Sequence, residues 1–66
     1  MKLFLNGDVR EIADAADVAT LITMLGLPAP AMLVEHNGEA LRRDEWPTRQ
    51  IAEGDRIEIV RIVAGG

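Results

Sequence analysis

Only one stretch of this chain repeats with the period of a helix. Val18, Leu21, Ile22 and Leu25 stand at i, i+3, i+4 and i+7 and form a single apolar stripe. Asp17, just ahead of it, has the short carboxylate that an N-cap uses to accept from the first unbonded amides. Gly26 behind it supplies a left-handed C-terminal cap, and Pro28 and Pro30 bar continuation. One short helix with one apolar stripe must bury that stripe against something else, and a sheet is the layer that the rest of the chain can supply. It must do so without covalent help. At 66 residues the chain lies below the ~70–80 at which a single core becomes comfortable, and cysteine is absent.

The sheet is legible in pieces. Lys2 to Asn6 alternates, with Leu3 and Leu5 on one face, and Asn6-Gly7-Asp8 is a tight-hairpin signal that sends Val9 to Ala13 back as a second strand. Met32 to His36 reads as a third strand closed by Asn37-Gly38. The stretch Glu39 to Thr48 is polar and reads as irregular, with Trp46 as the bulky anchor that closes the open end of the core. Glu53-Gly54-Asp55 is a further turn, and Arg56 to Val63, rich in β-branched residues, is the last strand. The order predicts an α+β roll, a mixed sheet packed on one α-helix, as one domain over residues 1–66. A right-handed crossover through the helix fits if the second and third strands run parallel. Leu3, Leu5, Ile12, Val18, Leu21, Ile22, Leu25, Val34, Ile57 and Ile59 are the expected core.

The side-chain inventory excludes most chemistry. Ser, Cys and Tyr are missing, Lys2 is the sole lysine and His36 the sole histidine. Nucleophilic triads, Schiff-base chemistry and multi-histidine metal sites therefore lack their parts, and no metal or bound cofactor is expected. The net charge of −4 and pI near 4.7 argue against nucleic acid or an anionic membrane as the main partner. No apolar run approaches the ~20 residues of a membrane span and no leader pattern opens the sequence, which together imply a cytoplasmic setting. A participant in chemistry with this composition is a reagent or carrier, with no catalytic side chains of its own. His36 reads as a strand-end packing residue, Arg42-Arg43 as a solvated loop and Asp44-Glu45 as local turn chemistry.

Ile62-Val63-Ala64-Gly65-Gly66 is the most informative segment. The last strand runs almost directly into it, so Ala64, Gly65 and Gly66 are expected as a flexible tail leaving the packed body. Residues without Cβ can thread a channel too narrow for side chains. What such a tail delivers is a C-terminal carboxylate, ionised at neutral pH and a poor acyl donor until activated.

From end to end the chain resembles the thiamine-biosynthesis sulfur-carrier family, ThiS, whose members are ubiquitin-like β-grasp proteins ending in Gly-Gly. The resemblance rests on the short first hairpin and capped helix, on Asn37-Gly38-Glu39, and on Arg43-Asp44-Glu45-Trp46. Glu53-Gly54-Asp55-Arg56-Ile57 and the terminal Val63-Ala64-Gly65-Gly66 complete it. Arg42 and His36 depart from the family pattern. The resemblance implies that a partner adenylyltransferase of the E1-like class, using ATP and Mg, activates the Gly66 carboxylate. A persulfide sulfur donor then converts it to a thiocarboxylate, and thiazole synthase consumes the sulfur. It also implies that the first and last strands are neighbours, in which case Phe4, Val60 and Ile62, opposite in parity to the core set, form an outward docking patch near the tail. The alternatives are a sulfur carrier of another pathway, such as the small subunit of molybdopterin synthase, and an interaction-only ubiquitin-like module.

Overall fold

The computed structural model describes residues 1–63 and shows five strands and one helix. In chain order they are β1 (Lys2–Leu5), β2 (Asp8–Glu11), α1 (Val18–Met24), β3 (Met32–His36), β4 (Glu39–Leu41) and β5 (Arg56–Arg61). The strands form one mixed sheet in the order β2-β1-β5-β3-β4, with α1 lying on one face, the β-grasp arrangement. β1 and β5 pair in parallel, and every other neighbouring pair is antiparallel.

The helix connects β2 to β3, which run parallel to each other, as a crossover through the helix requires; β1 and β5 lie between them and are neighbours, as the resemblance implies. One difference from the sequence expectation has a simple cause. Residues Glu39–Leu41, expected to be irregular, pair with β3 as a short edge strand. Three residues are too few to show a period, but the Asn37-Gly38 turn before them already demanded a returning strand.

Local chemistry explains the element ends. Asn6 and Gly7 both have positive φ, 49° and 85°, as do Asn37 and Gly38 at 49° and 86°, which are the values a two-residue primed turn needs. The helix start is fully satisfied. Asp17 accepts from the Thr20 amide at 2.8 Å, while the Val18 and Ala19 amides donate to the carbonyls of Arg49 and Trp46 at 3.0 and 3.1 Å. At the other end the Leu27 amide donates to the Ile22 carbonyl and the Gly26 amide to that of Thr23, a Schellman closure with Gly26 at φ 70°.

Leu3, Val18, Leu21, Ile22, Val34 and Ile57 of the expected core are buried, and Leu5, Ile12, Leu25 and Ile59 are half-buried against them. Trp46 is buried as expected. Ala15, Met32, Leu41 and Ile51 join the core as well. Of these, Ala15 and Ile51 sit on segments without periodicity. The Ile51 amide donates to the Ala16 carbonyl, so the strap of residues 42–55, between β4 and β5, crosses the helix start and brings the Ile51 side chain with it.

Candidate functional site

β5 is the central strand, and a hairpin asparagine braces it at two places. At its start the Asn37 side-chain oxygen accepts from the Arg56 amide at 2.8 Å, and the Asn37 backbone N–H donates to the Arg56 carbonyl at 2.8 Å. Further along, where β1 has run out, the Asn6 side chain accepts from the Ile59 amide at 2.7 Å and donates to the Ile59 carbonyl at 3.1 Å. Each hairpin asparagine thus serves twice. It tolerates a left-handed backbone, and its side-chain oxygen accepts from a β5 amide; in Asn6 the side-chain NH2 also donates to β5, so its amide group stands in for a missing strand residue.

The tail root follows. The Ile62 amide donates to the Ala31 carbonyl at 2.6 Å, after which the chain leaves the sheet, and Val63 is 82% exposed. Ala64, Gly65 and Gly66 lie outside the described residues.

The three docking-patch residues do not sit together. Phe4 is half-buried on the outer face, level with Arg56, whereas Val60 is four residues further along β5, ~13 Å at strand rise. Ile62 is exposed beyond the end of β5. The register instead sets Val60, 59% exposed, directly across from Leu33 of β3, 55% exposed, and sets Phe4 across from Val9 of β2. A parity argument places residues on a face; it cannot give their height along the strands. Leu33 carried no separate signal, because the third strand's pairing with the last was not legible; Val9 follows from the register of the first hairpin.

A polar cluster that the sequence did not reveal occupies the other end of β5. His36, on the inner face of β3, is 8% exposed, and its Nε2 lies 2.7 Å from Asp55 Oδ2. The same carboxylate accepts from the Ala52 amide at 2.9 Å and from the Asn37 side chain at 3.2 Å. Burial pushes the Asp55 carboxyl up, but the hydrogen bonds from His36, Ala52 and Asn37 outweigh it and hold the group below its ordinary value. An ionised Asp55 only accepts, so His36 donates to it from Nε2. Nδ1 faces the Arg49 guanidinium at 3.5 Å, and Arg49 in turn forms a two-pronged pair with Glu39 at 2.9 and 3.0 Å. The hydrogen bond from Arg49 lowers the Glu39 carboxyl below its usual range. His36 is the packing residue expected, and these partners are what permit a polar ring to be buried there.

The remaining polar residues act locally. Arg42 pairs with Asp44 at 3.2 Å and its amide donates to Glu45, while Arg43 lies 5.0 Å from the Trp46 ring and donates to the Met32 carbonyl at 3.0 Å. Arg43 therefore fastens the strap to β3 over the tryptophan. No helix among the described residues is long and apolar enough to cross a membrane.

Comparison with known proteins adds the context. The pattern that defines the ThiS family matches residues 3–66. The crystal structure of a thiamine biosynthesis protein (ThiS) from Geobacter metallireducens is 30% identical and superimposes with a TM-score of 0.86, with complete coverage of both chains. A solution structure from the same organism gives 0.84 at 30% identity, covering 100% of this chain and 88% of that one. A protein of Paramagnetospirillum magneticum named thiazole synthase is 32% identical over all 66 residues. The chain spans 20% of that relative's length.

Proposed function

Because this chain belongs to the ThiS family, we propose that it is the sulfur carrier of thiamine biosynthesis, a protein reagent handled by other enzymes. The observation that supports this most directly is the family match, which runs from the first strand through Gly66, past a residue already standing clear of the sheet. In a chain that ends at Gly66, the reacting group is the Gly66 carboxylate. The adenylyltransferase joins one carboxylate oxygen to the α-phosphorus of Mg-bound ATP, and pyrophosphate leaves. The terminal sulfur of a persulfide attacks the acyl carbon, AMP leaves, and a thiol then takes up the donor sulfur as a disulfide, releasing the thiocarboxylate. Thiazole synthase is the consumer, and the similarity to a longer protein of that name supports this partner.

The division of labour follows from the fold. A thiocarboxylate is ionised and nucleophilic through sulfur at neutral pH, but the domain supplies only its presentation. Recognition falls to surface, and the exposed Leu33–Val60 pair, continuous in parity with Ile62, offers an apolar face near the tail root.

The test is reconstitution of a chain ending at Gly66 with adenylyltransferase, ATP, magnesium and a persulfide donor, read by intact mass. Exchange of one carboxylate oxygen for sulfur is the expected result. Binding to the partners without any such exchange would leave an interaction-only module in its place.

A further inference from the structure

We infer that a groove on the helix side of the sheet, at the root of the tail, docks an acidic, aliphatic segment of a protein that receives the tail. This rests on the carrier reading above, which requires such a protein. The groove exists because α1 is short. Seven residues cover only ~10 Å of sheet, so the inner face past Gly26 has no helix over it. An open concavity of about 430 Å³ results. Its walls are aliphatic: Leu5, Leu25, Leu27 and Ile59 are half-buried around the buried Met32. Asn6 lines it too, with its amide group committed to Ile59.

The charge on the groove is the reverse of the charge on the chain. Arg10 of β2 and Arg61 of β5 both line it. They share the inward parity: Arg10 stands across from Leu3, and Arg61 is two residues beyond Ile59. Neither is in an ion pair among the described residues, and no carboxylate is among the described residues that line the groove. In a chain of net charge −4, two guanidiniums 51 positions apart in sequence converge on one apolar floor without an ion-pair partner among the described residues. The outer face differs in sign, since the shallow depression around Leu33 and Val60 is bordered by Glu35 and Glu58.

A guanidinium presents a planar fork that matches a carboxylate, and the floor between the two forks matches a branched aliphatic side chain. The volume suits one or two side chains of a peptide segment. Arg61 is followed directly by Ile62 and Val63, so a segment seated here grips the body beside the tail. The outer face stays available to a second contact.

The experiment uses the full chain with the adenylyltransferase and with thiazole synthase, measuring affinity at low and high ionic strength. The double variant Arg10→Glu/Arg61→Glu is expected to bind at least one of them about tenfold more weakly at low salt, and high salt should narrow the gap. Arg10→Lys/Arg61→Lys, which keeps the charge but loses the planar fork, should bind between wild type and the charge-reversed chain. Thermal melts that match wild type show that the effect lies in docking, because both side chains are exposed. Wild-type affinity of the charge-reversed chain for both proteins overturns the proposal, as does absence of binding by wild type. An octanoate titration separates the other occupant: groove amide signals that move with octanoate, beside unchanged protein affinities, would mark a small-anion site and equally overturn it. Intact mass of wild type after loading reports separately on the carrier reading, so failure of one is distinguishable from failure of the other.

Discussion

At the Arg56 end of β5, polar groups answer one another around the buried His36: His36 against the half-buried Asp55, Asp55 against Ala52 and Asn37, Arg49 against the exposed Glu39. At the Arg61 end the strand is held by its pairing with β3, by the Asn6 side chain at Ile59 and by the Ile62 amide at Ala31, and Arg61 lines the open groove without an ion-pair partner among the described residues. Both ends share one sheet and one core. They differ in where hydrogen-bonding capacity is directed, inward at the first and toward solvent at the second. On the carrier reading proposed above, polar fastening at the far pole is fastening that no partner has to displace, and the near pole keeps apolar surface and exposed charge.

The sharpest way to break that comparison is at the tail. In a chain ending at Gly66, deleting Gly66 or adding one residue after it should lower sulfur loading by about a hundredfold or more, since a shift of one residue, roughly 3.3–3.6 Å, misplaces the reacting carbon. The melting temperature should not move, and a tail variant that unfolds the domain would show the two poles to be coupled. Leu21, buried between the poles, tests what they share. Leu21→Ala should cost about 2–5 kcal/mol in urea unfolding at equilibrium, through lost burial and a residual cavity.

His36→Ala addresses the far pole alone. It removes one of the three hydrogen-bond partners of the half-buried Asp55 carboxylate and should cost about 1–3 kcal/mol, while loading at saturating partner stays at the wild-type rate. A loading defect in a variant that remains folded would mean that the cluster reaches the tail along β5. Acid provides the mildest probe. Asp55 is held below its ordinary value in the folded protein, so on acidification the unfolded chain takes up this proton first. The contribution of Asp55 to stability is therefore complete above about pH 4, the unfolded carboxyl value, and is lost as the pH falls through the lower folded value. Glu39 acts in the same direction through Arg49. Urea midpoints followed from about pH 6 to about pH 2 should fall less steeply for Asp55→Asn than for wild type.

Much of this architecture is determined by neighbours in sequence. The two Asn-Gly turns, the Asp17 cap, the Gly26 closure and the alternation of Leu3 and Leu5 are decided within four or five residues, by backbone sterics and by amides that need an acceptor. For that reason they are legible in the chain, and so is the family resemblance built from them. The tertiary structure decided whatever depends on pairing at a distance. Strand order put β5 between β1 and β3, and register separated Phe4 from Val60 and gave Val60 to Leu33. His36 found Asp55 across 19 positions, and Arg10 came to face the same groove as Arg61. Parity along a strand repeats every two residues and is indifferent to slippage by two. The height at which strands meet is therefore chosen only when the whole core is buried at once.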